Sequence, residues 1–240
     1  MPDSVLNDIT KEEEDTILFY YQVKMLDLCE FLKTPIQVQS TSITYFKVLF
    51  TKKRVFHYDM RNLIVACVFL AMKVENIYVT AECIKSRLGF VKVSLLVQYE
   101  VDICNALKFN FHVSSPYLRL LGLFLLLKNK ERIYAELDGP VPTQQIEEID
   151  RMLNWEKSIE NLKNIMLADD YLQLNPNEVA LASLAVRPSE LQGFFMPDTL
   201  EAVKKIKMHT IRREAPNQEQ LKMINEKIQA IQRHYSLTQS

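Results

Sequence analysis

Ten consecutive residues that carry no charge, amide or hydroxyl, at positions 63–72, constrain the fold of this chain more than any other feature. Leu, Ala and Met outnumber the β-branched residues in this run, and neither Gly nor Pro interrupts it. The run therefore predicts a helix that is apolar on every side. Asp59 as N-cap and Lys73 near the C-terminal end bound it with charge, and it is too short to cross a bilayer. We expect other helices to surround it.

Long periodic segments and few glycines indicate an all-α protein. The 240 residues include only four Gly, each isolated, and 48% of the residues are hydrophobic, which is enough for a sizeable core. Capping signals mark several helix starts, such as Thr10 with Glu13 and Asn175 before Pro176. A loop is predicted at residues 138–142. The predicted helices cover residues 10–32, 38–51, 59–75, 80–88, 92–107, 116–127, 143–172 (as one or two pieces), 175–186, 198–213 and 217–235.

A second nearly all-apolar helix is predicted within residues 179–186, about 115 residues after the first. The chain thus repeats one design, in which amphipathic helices are followed by a central apolar one. This repetition predicts two similar helical modules rather than a solenoid of short repeats.

Charge and cysteine usage exclude several classes of protein. A formal net charge of −1 argues against binding nucleic acid or acidic membranes through overall charge. The N-terminus does not show the basic segment followed by an apolar segment that is typical of a signal peptide, and no apolar segment reaches transmembrane length. We therefore expect an intracellular, soluble protein with no membrane partner. The cysteines are widely separated within apolar helical patterns and are expected to be free thiols in a reducing compartment. They are Cys29, Cys67, Cys83 and Cys104.

One carboxylate does not fit the predicted packing of the fifth helix. Glu100 interrupts an apolar stripe that is predicted to comprise Val93, Leu96, Val97, Ile103, Cys104 and Leu107. A carboxylate buried without a partner would cost several kcal/mol or would protonate. Glu100 therefore either points outward or pairs with a cation, for which Lys73 is the best candidate. From the residues alone, a structural ion pair and a binding surface are equally good interpretations.

The sequence carries no motif typical of an enzyme. It lacks a Gly-rich phosphate loop, a Gly-x-Ser-x-Gly nucleophile motif and the catalytic motifs of protein kinases. The histidines and cysteines show no metal-ligand spacing. We therefore expect no catalytic residue, no metal and no cofactor, and any kinase activity would belong to a partner.

Three short motifs resemble the cyclin family. Residues 70–75 read Leu-Ala-Met-Lys-Val-Glu, similar to the Ala-x-Lys-(aromatic or Val)-(Asp or Glu) that ends the third helix of a first cyclin box. Residues 98–100 read Gln-Tyr-Glu, similar to the glutamate motif of the fifth helix. Residues 107–111 read Leu-Lys-Phe-Asn-Phe, similar to the end of that helix. Further stretches over residues 10–236 are similar to the cyclin H subfamily.

The resemblance implies an all-α fold of two consecutive five-helix cyclin boxes plus a C-terminal helix. Residues 1–34 would form the N-terminal segment and the first helix of the first box, and residues 35–113 the remainder of that box. Residues 114–212 would form a divergent second box, and residues 213–240 the C-terminal helix.

The resemblance also implies a kinase-binding surface. In the family, a Lys–Glu pair lies at the kinase interface and helps to fix the C-helix of a cyclin-dependent kinase. That role falls here on Lys73 and Glu100, with Val74 and Phe109 as apolar neighbours. The implied function is non-catalytic activation of the catalytic subunit of the CDK-activating kinase, with a RING-type assembly factor and TFIIH as further partners. The resemblance further implies roles in cell-cycle control and RNA polymerase II transcription, and a nuclear location.

Two alternatives stay open within the resemblance. A cyclin C type subunit of Mediator would share the fold, and TFIIB-like proteins use cyclin boxes to hold DNA. The best support for DNA binding is a basic cluster, which we interpret instead as a solvated helix face: Lys204, Lys205, Lys207, Arg212 and Arg213. Cyclin H proteins also carry a longer N-terminal segment and a charged C-terminal extension. We expect this chain to lack both, which leaves the extent of its kinase contact open.

Overall fold

The computed structural model describes residues 9–129, 149, 151–209 and 216–238. Within these ranges the chain forms ten α-helices and three short 3-10 helices, at Val55–His57, Tyr171–Gln173 and Pro188–Leu191. The predicted loop at 138–142 and the predicted helix start at residue 143 lie outside the described residues. The α-helices are α1 (Lys11–Phe31), α2 (Ile36–Phe50), α3 (Met60–Val74), α4 (Ala81–Leu88), α5 (Val93–Ala106), α6 (Pro116–Lys128), α7 (Trp155–Leu167), α8 (Pro176–Ser183), α9 (Pro197–His209) and α10 (Gln218–Thr238).

The chain divides into two compact units. The first comprises Met1–Val113 together with Arg213–Ser240, and the second comprises Ser114–Arg212. In the described part of each unit, one apolar helix packs against three others: α3 contacts α1, α2 and α5, and α8 contacts α6, α7 and α9. Each central helix therefore sets the position of its neighbours.

The predicted central helix of the first unit is confirmed. Every residue from 63 to 72 is buried in α3. The Asp59 carboxylate caps the helix by accepting hydrogen bonds from the backbone N–H groups of Arg61 and Asn62, as predicted. Because α3 is apolar on every side, its burial requires neighbours all round, and α1, α2 and α5 supply them.

Local capping signals also set the other helix starts that the sequence indicated. Thr10 and Glu13 form the predicted capping box at α1, in which each side chain accepts the other residue's backbone N–H. Ser115 caps α6 and Asn175 caps α8, and a proline is the first residue of both helices. At the end of α4, Gly89 adopts a φ of +55°, a conformation that glycine reaches without Cβ strain.

Helix α8 ends earlier than predicted. The prediction extended to residue 186, but the helix ends at Ser183, and Leu184 turns to an extended conformation (ψ 136°). The Ser183 hydroxyl bonds back to the Val179 carbonyl oxygen, and side chains from α7 and α9 take up the carbonyl oxygens at the helix end. These tertiary hydrogen bonds replace the ones that another helical turn would make.

The terminal helix α10 belongs to the first unit, although it follows the second unit in sequence. Its predicted apolar stripe of Leu221, Ile224, Ile228 and Ile231 is buried, as expected from the spacing of three and four. Gln232 donates its amide N–H groups to the carbonyl oxygens of Phe56 and Tyr58, at 3.1 and 3.3 Å. Lys227 forms an ion pair with Glu13 of α1 at 2.7 Å. The N-terminal and C-terminal helices thus lie side by side.

A membrane-spanning helix is not found among the described residues.

Candidate functional site

Lys73 and Glu100 pair as the sequence predicted. The Lys73 ammonium nitrogen lies 2.5 Å from a Glu100 carboxylate oxygen and 4.2 Å from the centre of the buried Phe69 ring. The side chains remain 39% and 18% exposed, respectively. The pair joins the end of α3 to the middle of α5 and is open to solvent from one side.

The end of α3 fixes the position of Lys73. Asn76 adopts a left-handed conformation (φ 61°), and its N–H and that of Ile77 bond back to the carbonyl oxygens of Lys73 and Met72. This pattern is a Schellman-type helix stop. The Glu75 carboxylate accepts a hydrogen bond of 2.6 Å from the Thr41 hydroxyl of α2. The last turn of α3 is therefore held by hydrogen bonds from two directions.

The predicted apolar stripe of α5 was right at Leu96 and Ile103 and wrong at Val97. The face that packs inward comprises Leu96, Tyr99, Ile103 and Ala106, whereas Val97 is 51% exposed. Glu100 consequently lies beside the buried face rather than within it. The helix is apolar on two sides, and periodicity alone does not distinguish the buried side from the exposed one. The phenol of Tyr99, which accepts the Asp59 N–H at 2.9 Å, is what anchors the buried face.

Exposed apolar side chains surround the ion pair along α5. Val97 and Val101 are 51% and 52% exposed and lie four residues apart, on one face of the helix. Glu100 lies three residues after Val97 and therefore adjoins this face. Sequence analysis assigned Val97 to the core and did not single out Val101, because no pattern within α5 distinguishes its exposed apolar face from its buried one.

Beyond the end of α5, Phe109 is 65% exposed. Lys108 and Phe109 both have positive φ values, and the Phe109 N–H closes the helix on the Cys104 carbonyl oxygen at 2.9 Å. The ring meets Phe111 edge to face with centroids 6.2 Å apart. Val74, the last residue of α3, is half-buried. The structure thus brings Lys73 and Glu100 together and leaves Phe109 available at the surface, while Val74 contributes less surface than Phe109.

The thiol nearest the ion pair is not activated. Burial raises the pKa of Cys104, the Glu100 carboxylate raises it further, and the Lys73 ammonium opposes them. A thiol with a raised pKa is a poor nucleophile at neutral pH. In the described ranges no group of three or more His, Cys, Asp or Glu side chains is arranged to hold a metal ion.

The interpretation of the basic cluster as a solvated face needs one correction. Lys204 and Lys205 are exposed, as predicted. Lys207 is instead half-buried and donates hydrogen bonds to the carbonyl oxygens of Leu184 and Val186, each at 2.8 Å. It lies four residues after the buried Val203, on the side of α9 that packs against α8. Arg212 and Arg213 lie outside the described residues.

We expect the Lys73–Glu100 pair to contribute little to folding, because both side chains are partly solvated. A double-mutant cycle of Lys73→Ala and Glu100→Ala should give a coupling of about 0.2–1 kcal/mol in urea unfolding, as for other exposed ion pairs. A loss of about 3–5 kcal/mol from either single change would instead identify a buried structural pair.

Curated proteins similar to this chain are cyclins. Cyclin-H1-1 of Arabidopsis thaliana is 25% identical over 184 residues, which cover 77% of this chain and 52% of that protein. Cyclin CCL1 of Saccharomyces cerevisiae is 25% identical over 183 residues, covering 76% and 44%. Cyclin-H of Xenopus laevis is 27% identical over 189 residues, covering 75% and 54%. The chain spans about half the length of these relatives. No protein-family model matches it.

Solved structures show the same fold. A chain of the yeast TFIIK (Kin28/Ccl1/Tfb3) complex matches with a TM-score of 0.66 at 21% identity, covering 83% of this chain and 87% of that one. A chain of the CAK complex from Chaetomium thermophilum matches with a TM-score of 0.74 at 17% identity, covering 97% and 80%. A viral cyclin from herpesvirus saimiri gives 0.56 at 16% identity, covering 85% and 88%. The predicted all-α cyclin fold and the resemblance to cyclin H are confirmed.

Proposed function

We propose that this chain, which has the cyclin fold and is similar to cyclin-H proteins, is a non-catalytic regulatory subunit that binds and activates a cyclin-dependent kinase. The observation that carries the proposal is the ion pair of Lys73 and Glu100, which is open to solvent at one side. The resemblance assigns these two residues to the family's kinase interface. Its partners would be the catalytic subunit of a CDK-activating kinase, a RING-type assembly factor and TFIIH, in the nucleus.

The surface around the ion pair suits a protein partner. Exposed apolar side chains at Val97, Val101 and Phe109 offer the apolar contact that the centre of an interface needs. The neighbouring Lys73 and Glu100 offer directional hydrogen bonds that fix the register of a docked helix. An apolar patch with a polar pair at its edge is typical of a binding surface rather than of a catalytic cleft.

Activation would proceed through the kinase rather than through chemistry on this chain. A protein kinase is active only when its β3 lysine pairs with the glutamate of its C-helix. A subunit that binds the inward position of that helix better than the outward one shifts the equilibrium toward the active state. Helices α3 and α5 are suited to this task because their packing and capping hydrogen bonds hold Lys73 and Glu100 in place before a partner arrives.

The decisive experiment is affinity purification of the tagged chain, followed by a kinase assay on the purified complex. We expect recovery of a cyclin-dependent kinase together with a RING-type factor, and phosphorylation of a kinase activation-loop peptide that depends on this chain. Recovery of the chain without any kinase, or a kinase whose activity is unchanged when the chain is left out, would contradict the proposal.

The same experiment tests the cyclin C alternative. Rice Cyclin-C1-1 is 27% identical to this chain, but over 124 residues that cover only 48% of it, whereas the cyclin-H proteins cover 75–77%. The broader match favours the cyclin H type. Recovery of Mediator components in place of the RING-type factor would reverse this preference. A TFIIB-like role is disfavoured because Lys207 of the basic cluster turns inward, away from any duplex.

A further inference from the structure

A small cavity with a mixed polar and apolar lining lies in the second unit, where α7, α8 and α9 meet. Its volume is about 220 Å³, and its lining is Asn161, Asn164 and Ile165 from α7, Ala182 from α8 and Lys207 from α9. Three of these side chains can donate hydrogen bonds, and none of the described lining residues is acidic. Among the described lining residues, the polar groups include several donors, and the one charged group is a cation.

Among the described residues, the Lys207 ammonium forms no ion pair. Two of its three N–H groups go to the Leu184 and Val186 carbonyl oxygens, and no acceptor for the third is found in the part of the chain that the structure describes. Carbonyl oxygens stabilise the ammonium but carry no net charge. Burial lowers the pKa of Lys207 to about 8. The lysine still carries its charge at neutral pH.

The two asparagines extend this donor set in different ways. Asn161 uses one amide N–H to bond the Ser183 carbonyl oxygen at 3.2 Å, which fixes its orientation at the end of α8. The side-chain amide of Asn164 forms no hydrogen bond among the described residues, although it lines the same cavity one turn away. An ammonium, an oriented amide and an unused amide around one small space match the several acceptor sites of a carboxylate.

We propose that this cavity binds the carboxylate of a glutamate or aspartate side chain presented by a partner protein. The volume favours one side chain over a free cofactor or metabolite, since pockets that enclose drug-sized ligands measure about 300–1,000 Å³. Ile165 and Ala182 form an apolar wall against which the methylene groups of that side chain pack. The proposal does not depend on the kinase partner proposed above, because the cavity lies wholly within the second unit.

The test uses the full chain and a fluorescein-labelled hexaglutamate peptide, with binding followed by anisotropy. Lys207→Met should weaken binding at least about tenfold, because it removes the one charge found among the described lining residues. Lys204→Met is the matched control, since it removes the same charge from an exposed position on α9, and it should change binding less than about twofold. Equal losses from the two changes, or no binding by the unmodified chain, would overturn the proposal.

Two further arms keep the outcome decisive. If Lys207→Met fails to fold, Asn164→Leu is the second variant. It removes a hydrogen-bond donor and fills part of the cavity without breaking a side-chain hydrogen bond seen in the described residues. It should weaken peptide binding by about fivefold. Unchanged binding by this variant overturns the proposal. Hexaglutamine should not compete with the labelled peptide. Displacement by millimolar inorganic phosphate would show that the cavity takes a free anion instead of a side chain, and would likewise overturn it.

Discussion

Replacing Leu63 with alanine is expected to lower the free energy of unfolding by about 2–5 kcal/mol. The Leu63 side chain is fully buried in α3, the helix that contacts α1, α2 and α5. Its removal loses the transfer free energy of the missing atoms and leaves a cavity that three fixed helices cannot close. Urea unfolding followed by circular dichroism measures the loss, because nearly every described element contributes helical signal.

The matched control is Val97→Ala, which removes apolar atoms from an exposed position on α5 of the same unit. It should change stability by less than about 0.5 kcal/mol. The only tryptophan, Trp155, lies in the second unit, so its fluorescence reports that unit separately. A Leu63→Ala protein that unfolds at the wild-type midpoint by circular dichroism would show that α3 does not organise the first unit.

Sequence reasoning succeeded where structure is decided within one or two helical turns. The capping box at Thr10 and Glu13, the Asp59 cap and the apolar run of α3 depend on neighbouring residues, and all three were predicted. The pairing of Lys73 with Glu100 was also predicted, although 27 residues separate them. It could be predicted because a carboxylate next to a packed face needs a cation, and few were within reach.

Sequence reasoning failed where the residue pattern of a helix was compatible with two different buried faces. Helix α5 is apolar on two sides, so Val97 was assigned to the core although Tyr99 and Ala106 face inward. Lys207 was assigned to a solvated face because lysine is seldom buried, yet it turns inward to bond two carbonyl oxygens after α8. In both cases tertiary contacts decide the outcome, and a window along one helix holds no information about them.

Replacing either Lys73 or Glu100 with alanine is expected to weaken binding of the proposed kinase by at least about 30-fold, equivalent to roughly 2 kcal/mol. Each change leaves the other charge unpaired at a surface that the kinase would cover, and a desolvated unpaired charge is costly. The double variant should bind no more weakly than the worse single variant, because the pair acts as one unit. Titration calorimetry with the purified kinase subunit measures the affinities of the two single variants and the double variant.

Arg54→Ala is the matched control for these measurements. Arg54 pairs with Glu14 at 2.8 Å in the same unit, and the exposed fractions of that pair, 51% and 13%, resemble those of Lys73 and Glu100. Two ion pairs of similar exposure should make similarly small contributions to folding, so a large difference in kinase binding reports the interface. If Lys73→Ala and Glu100→Ala lower the melting temperature sharply while the folded fraction binds kinase as before, the pair is structural. A side chain that acts only at the interface is dispensable for folding. Comparing melting temperature with kinase affinity in the Lys73→Ala and Glu100→Ala proteins therefore distinguishes a binding role from a structural one.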